Sequence, residues 1–317
     1  MELHDLIRKY RPNIREITIN NYIKYLNRIS KHFTKKNLTV DNIKLFKKSK
    51  EVIDYLSESP LSTQKALIAS ILVILNNDDK YATPLNDYRV YLEVINSEYE
   101  KDKQKKQKNI SESKNWATMK EIENVREQLK KKVDNRDLFK KSKLKQNEYD
   151  LLRNYLISAL YTYKPPRRNI YRLVKFISKK SYNKLKDSQL KENYLVFNNR
   201  EMFLHFGNQK SSNFNNQILQ IPKPLKKIIR LYMSHPMINT DDNELFIKSF
   251  SGKQLSTQQF TNIMSKIFTI GDRHISSSLL RKIYVSEVIQ PHADIVNEAA
   301  ASMGHSSAVA NKHYTKK

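Results

Sequence analysis

The sequence predicts a mainly α-helical protein with a small antiparallel β-sheet, divided into a helical N-terminal domain and a second domain of mixed α+β type. Two patterns carry this expectation: apolar residues recur at helical spacing over most of the chain, and short alternating runs of β type cluster between residues 172 and 221. The length of 317 residues adds a third, because it allows about two domains with a core each.

Residues 1–100 read as the helical domain. In TINNYIKYLNRISKHF, Ile19, Tyr22, Ile23, Leu26, Ile29 and Phe33 share one helix face, with Thr18 placed to cap it. A shorter helix is expected over Val52 to Leu56. Another should follow the caps Ser62 and Thr63, with Ala66, Leu67, Ile71 and Ile74 on one side. Most lysines on these helices, taken singly, read as solvated surface. After Tyr99 the composition turns to EKDKQKKQKNISESKN, basic and without apolar periodicity, so residues 101–115 are expected to be a linker.

The second domain, 116–317, opens at Trp116, where Thr118 and Glu121 have the T-x-x-E spacing of a capping box ahead of a long helix. KKKVDNRDLFKKSKLKQNE reads as a charged surface excursion. YDLLRNYLISALYTY then supplies an apolar core helix that stops before Pro165 and Pro166. Strands are expected at 172–177, 194–197, 202–206 and 217–221, with Asn198 and Asn199 as a hairpin turn. From Pro224 onward the pattern is helical to the final short helix bearing HSSAVANKHY.

Charge narrows the function classes. Lys and Arg total 58 against 32 acidic residues, a formal charge of +26, where solubility alone favours a magnitude of roughly 2 to 8. Such a surplus calls for an anionic partner. Nucleic acid fits, because neutralising backbone phosphates releases condensed counterions. Part of the lysine excess is set aside as composition bias, since four Gly and abundant Lys, Asn and Ile suit an AT-rich genome. No apolar run approaches the ~20 residues of a spanning helix, and MELHDLIRKY lacks a signal peptide's apolar core, so an intracellular protein without a membrane partner is expected. With no cysteine, disulfides, thiolate metal sites and cysteine nucleophiles are excluded. His4, His32, His205, His235, His292 and His313 lack ligand spacing, so no metal and no cofactor are expected.

Chemistry-bearing residues stand in four ordered places. Gly304, His305, Ser306 and Ser307 precede Tyr314, which follows the histidine by nine residues. Arg281 lies 24 residues before His305 in SSLLRKIYVSEVI. Its neighbours Leu279, Leu280, Ile283 and Val285 suggest a charge on a buried face, which requires an anion nearby. KPPRRNIY carries Arg167 and Arg168, and Lys210 lies between the runs MFLHF and QILQI.

These four places together resemble the boxes of the tyrosine recombinase (phage integrase) family, of the kind carried by viruses and other mobile elements. The resemblance covers residues 116–317 and extends more loosely to the N-terminal helices, which are similar to the family's core-binding domain. It implies Tyr314 as nucleophile, Arg167 as the first catalytic arginine with Arg168 as the alternative, Lys210 as the catalytic lysine, and Arg281 and His305 as the later members. Ser278 stands where the second box usually has histidine. Ile170 stands where an acid commonly follows the first arginine, and His274 is a weak substitute for the box-two histidine. Only three residues follow Tyr314 here, so contacts between protomers are expected from elsewhere unless the chain is cut short.

The chemistry suits these residue types. Moving a phosphodiester onto tyrosine builds negative charge on the non-bridging oxygens, which two guanidinium forks and an imidazole can hold without a metal. A phenol with a pKa of about 10 needs a cationic pocket to act as a nucleophile. The departing 5′-oxygen needs a proton, the role the resemblance implies for Lys210. The implied function is a site-specific recombinase or integrase on double-stranded DNA, forming a covalent 3′-phosphotyrosine and acting as a tetramer on two paired sites, inside the cell wherever the target DNA is, which for a viral protein is the host nucleus or a cytoplasmic viral factory. The alternatives are a type IB topoisomerase-like nicking and closing enzyme, and an inactive DNA-binding descendant.

Overall fold

The structure, a computed structural model, describes all residues except 1, 77, 168, 208–215, 239–240, 305 and 310–317. It divides into two compact units, Met1–Gln107 and Lys108–Lys317. Among the described residues, no helix is long and apolar enough to cross a membrane.

The first unit consists of helices α1 (Leu3–Tyr10), α2 (Glu16–Thr34), α3 (Ser49–Ser57), α4 (Leu61–Leu75) and α5 (Ala82–Gln104), joined by short 3₁₀ turns. Its core gathers Ile19, Leu26, Ile29, Phe46, Leu67, Ile71 and Tyr88. Burying each such side chain contributes roughly 1.5–3 kcal/mol. Neither predicted cap is used. Helix α2 begins before Thr18, at Glu16, and α4 begins at Leu61 directly after Pro60, ahead of Ser62 and Thr63.

The expected linker is also more ordered than its composition suggested. Helix α5 continues to Gln104, and α6 (Ile110–Asn115) forms behind the capping box of Asn109 and Glu112. Charge pairing takes the place of apolar periodicity in the last turns of α5. Lys103 reaches Glu100 and Lys105 reaches Asp102, each at 3.8 Å, and the Tyr99 ring lies 4.3 Å from both Lys65 Nζ and Lys103 Nζ.

In the second unit, α7 (Met119–Asp134) starts at the predicted Thr118–Glu121 capping box. The charged stretch after it is tied down by Leu138 and Leu144, both buried. Helix α8 (Gln146–Tyr163) is the core helix, with eleven of its residues buried, and its end before Pro165 follows from the missing N–H of proline. A four-stranded sheet packs beside it, in the order β1 (Val174–Ser178), β2 (Asn193–Phe197), β3 (Met202–Phe206), β4 (Gln217–Gln220).

The sheet departs from the expected antiparallel form at one pairing. Strand β1 runs parallel to β2, and only β2–β3 and β3–β4 are antiparallel. The crossover this requires is the segment holding α9 (Lys179–Tyr182). Residues 172 and 173, the start of the first predicted strand, belong to a 3₁₀ turn, Asn169–Leu173. Asn198 makes the β2–β3 turn as predicted: its Oδ1 accepts from the N–H groups of Arg200 (2.8 Å) and Glu201 (2.6 Å).

Helices α10 (Lys223–Met233) and α11 (Thr257–Ile267) follow, then the two-stranded ribbon β5 (Thr269–Ile270) and β6 (Arg273–His274). Helix α12 (Ser277–Tyr284) runs through a π-helical turn, Val285–Ile289, into α13 (Gln290–Ser302). Pro291 accounts for the wide turn, since its ring would collide with the carbonyl four residues back, at Glu287. Gly304, at φ +79°, ends α13 in the left-handed conformation glycine adopts without strain, and α14 (Ser307–Val309) follows.

Candidate active site

The site is assembled around the segment that leaves α8. Arg167 is half-buried, and its guanidinium lies over the Phe206 ring, 4.1 Å from the centroid. Its Nη2 donates to Oε1 of Gln217. Phe206 and Gln217 are a cross-strand pair on β3 and β4, so a single register position supplies both the stacking face and the acceptor. Lys164, just past the end of α8, donates from Nζ to the carbonyl of Gln220 at 2.8 Å.

Two phenols form the floor beneath this arginine. Tyr171 is fully buried, set edge-on to Phe206 (6.0 Å) and to Tyr161 (5.3 Å). Burial raises the pKa of both phenols, against a smaller opposing pull from Arg167 on Tyr171 and from Arg281 on Tyr161. Among the described residues, the Tyr171 hydroxyl has no hydrogen-bond partner.

Arg281 approaches from α12. Burial is the main cause pulling the pKa of Arg167 below the usual arginine value; the Tyr171 phenol opposes it and the charge of Arg281 reinforces it. A guanidinium remains protonated despite such shifts. The charge of Arg281 is thus felt weakly at Arg167, and among the described residues neither arginine has an ion-pair partner. Guanidinium groups that feel one another's charge and have no ion-pair partner suit an anion.

Arg281 itself corrects one expectation. It is exposed, not set on a buried face: Leu279, Leu280 and Ile283 point into the core while Arg281 and Val285 do not. One step along a helix rotates the side chain by roughly 100°, enough to carry residue 281 from the apolar stripe to the rim. Ser278 is also exposed, one turn before Arg281, and Ser276 caps the helix by accepting from the N–H of Leu279 at 3.1 Å. His274 belongs to β6, outside the helix, with its Nδ1 3.1 Å from Thr269 Oγ1.

Polar contacts tie α12 and its two flanks, β6 and the π-helical turn, to α6 and the start of α7. Glu112 pairs with Lys282, and Glu121 takes Arg273 Nη2 at 2.6 Å. Glu287 accepts from the Met119 N–H at 2.8 Å, and Asn115 Oδ1 accepts from the His274 N–H at 2.8 Å. The Arg273 guanidinium, helped by the Thr118 N–H, holds the Glu121 carboxyl down at about 2.

Arg168, Lys210, His305 and Tyr314 lie outside the described residues. Gly207 fixes where the segment carrying Lys210 begins: its N–H donates to the Glu192 carbonyl at 3.0 Å, and a Cβ there would fall 1.8 Å from the Leu190 carbonyl oxygen. Sequence reasoning did not single out Phe206, Gln217, Lys164 or Tyr171. Strand alternation carries a signal for the first two, because it puts Phe206 and Leu204 on the same face as Gln217 and Leu219.

No protein family and no curated protein matches this sequence. Among solved structures, the chain is similar to one titled "Crystal structure of XerA recombinase", with 13% identity over 99% of this chain and 93% of that one, at a TM-score of 0.35.

Proposed function

We propose that this chain is a site-specific DNA recombinase or integrase that cleaves and rejoins DNA through a 3′-phosphotyrosine at Tyr314. What carries the reading is the ordered set Arg167, Lys210, Arg281, His305 and Tyr314 in the sequence. The weak charge coupling of Arg281 to Arg167 supports it, because two guanidinium groups with no ion-pair partner among the described residues suit a phosphate cradle for the transition state.

In this reading Arg167, Arg281 and His305 hold the non-bridging oxygens. The Tyr314 oxygen attacks phosphorus, the bond to the 5′-oxygen breaks, and that oxygen takes a proton from Lys210 as the tyrosine loses its own. The new bond conserves the phosphodiester, so a 5′-hydroxyl from another strand reverses the step without ATP or metal. The stacking of Arg167 on Phe206 and its bond to Gln217 supply the orientation that an acid at position 170 would otherwise give. The N-terminal helices act as the core-binding domain, residues 101–115 as the basic connection and 116–317 as the catalytic domain, with four copies acting on two paired duplex sites.

The test is a suicide duplex nicked beside the cleavage position, taken from the attachment sites or terminal repeats of the genetic element that encodes the chain. A covalent adduct formed by the wild type and lost in Tyr314→Phe is the expected result. No adduct on the true site makes the chain a DNA-binding protein only. Supercoil relaxation without an exchanged two-site product makes it a nicking and closing enzyme.

A further inference from the structure

A second strongly basic surface lies at the other end of the sheet. The β2–β3 turn, α9 and α10 enclose a groove of about 870 Å³ floored by Phe197, Met202 and Met233, and two smaller depressions continue from it along α10 and over β4. Cations reach it from separate elements: Lys179 and Lys180 from α9, Arg200 from the turn and Arg230 from α10, while Lys223, Lys226 and Lys227 of α10 line the adjoining depressions.

The groove is distinct from the Arg167 pocket. Arg167 packs on Phe206 at the last position of β3, whereas the groove takes in Met202 at the first. Four steps of about 3.3 Å along the strand put roughly 13 Å between them.

Several features show that this surface is arranged for an anion. On α10 the cations recur at positions 223, 226, 227 and 230, one stripe on the solvent side, while Leu225, Ile228, Ile229 and Tyr232 face the core. The first turn of α10 holds no acid, so its lysines stand at the helix end where the dipole disfavours positive charge. The carboxylate among the described lining residues is Glu201, already 3.4 Å from Lys179. Among the described residues, Arg200, Lys223, Lys226, Lys227 and Arg230 have no ion pair. Two of the cations are held in place: Arg230 donates to the Asn199 carbonyl at 2.9 Å, and Lys179 lies 4.7 Å from the Phe203 ring centroid.

We infer that this groove is a second phosphate-backbone site for duplex DNA, separate from the Arg167–Arg281 pocket. The stripe from Lys223 to Arg230 rises about 10 Å along α10, which matches about three phosphates of one strand at the duplex axial spacing. Placed roughly 13 Å from the Arg167 pocket, the groove contacts phosphates other than the one at the cleavage pocket. The inference concerns phosphate binding alone, and it stands whether or not Tyr314 cleaves DNA.

The test uses the full chain and a 30-base-pair duplex of arbitrary sequence, with affinity measured by fluorescence anisotropy across a salt series. The triple variant Lys226→Gln, Lys227→Gln, Arg230→Gln should bind at least tenfold more weakly at low salt. Its slope of log K against log salt should be shallower by about 2 to 3, close to 0.9 per lost phosphate contact. A matched control, Lys131→Gln, Lys132→Gln, Lys143→Gln, removes the same charge elsewhere. An unchanged slope in the groove variant, or an equal change in the control, overturns the inference. So does loss of binding to anionic phospholipid vesicles with duplex binding intact, which would make the groove a membrane contact. Unaltered thermal unfolding of the groove variant confirms that it is folded. Adduct formation by that variant on saturating suicide substrate reports separately on the Tyr314 reading.

Discussion

The two arginines of the candidate pocket are held by opposite kinds of physics. Arg167 leaves a helix stopped by two prolines and lies half-buried between an aromatic face and an amide, with no carboxylate holding it. Arg281 stands exposed on α12, a helix whose Lys282 pairs with Glu112 and whose flanks are tied by Arg273 to Glu121 before it and by Glu287 to the Met119 N–H after it. Burial and stacking are little affected by salt or mild acid, whereas exposed charge pairs are screened by one and neutralised by the other. Arg167 is therefore set by packing alone, whereas the apolar packing of α12 is supplemented by charge pairs at the helix and its flanks, and perturbations that reach only the charges should separate the two.

The largest effect falls on the packed wall. Arg167→Ala should lower the single-turnover rate of adduct formation by about 10²- to 10³-fold, the usual loss on removing one donor to a developing oxyanion. Arg167→Lys should recover little of it, because a point charge replaces neither the planar fork nor the stack on Phe206. A lysine variant cleaving at the wild-type rate would show that charge alone suffices and that the packing around Arg167 is incidental. Phe206→Leu keeps the sheet apolar and removes only the aromatic face. A cation–π contact worth roughly 0.5–2 kcal/mol translates into a loss of about 2- to 30-fold in the same assay, independent of salt.

How far the sequence anticipates this arrangement depends on the range of the interactions involved. Helix α8, the Thr118–Glu121 box, the Asn198 turn and strand β3 are local, and periodicity, capping and turn chemistry predict them closely. The parallel pairing of β1 is not local: it depends on a crossover through residues 179–192, whose composition does not reveal which edge β1 will join. Arg167 and Arg281 are nominated by motif alone. The exposure of Arg281 is set by the packing of α12, which a list of apolar neighbours misjudges by one helical step. Gln217 and Tyr171 carry no motif and gain their places only from register and burial. The basic groove is similarly hidden, since its cations are scattered from residue 179 to residue 230 among many others.

Ser278 sharpens the comparison on the exposed wall. Its hydroxyl lies one turn from Arg281 and open to solvent. If it donates to the phosphate, Ser278→Ala should slow cleavage by about 2- to 10-fold, matching one hydrogen bond of roughly 0.5–1.5 kcal/mol. An unchanged rate would remove Ser278 from the pocket and leave Arg281 as the contribution of α12.

The smallest effect lies in the charge pairs flanking α12, and it separates them from the packing by pH. Glu121 is held at about 2, below its ordinary 4.5, so the pair it forms with Arg273 adds stability that is full above about 4.5 and lost as pH falls toward 2. The Glu121 side chain is 36% exposed, and solvent screening limits the pair to roughly 1 kcal/mol or less. Glu121→Gln should therefore lower Tm by a few degrees at neutral pH, with the gap to wild type narrowing below pH 4.5 and closing near pH 2. High salt should narrow the same gap at neutral pH. A gap that persists through acid and salt would mean that Glu121 acts through the capping hydrogen bonds of α7, which glutamine partly keeps, and that the tie from α7 to β6 does not depend on charge.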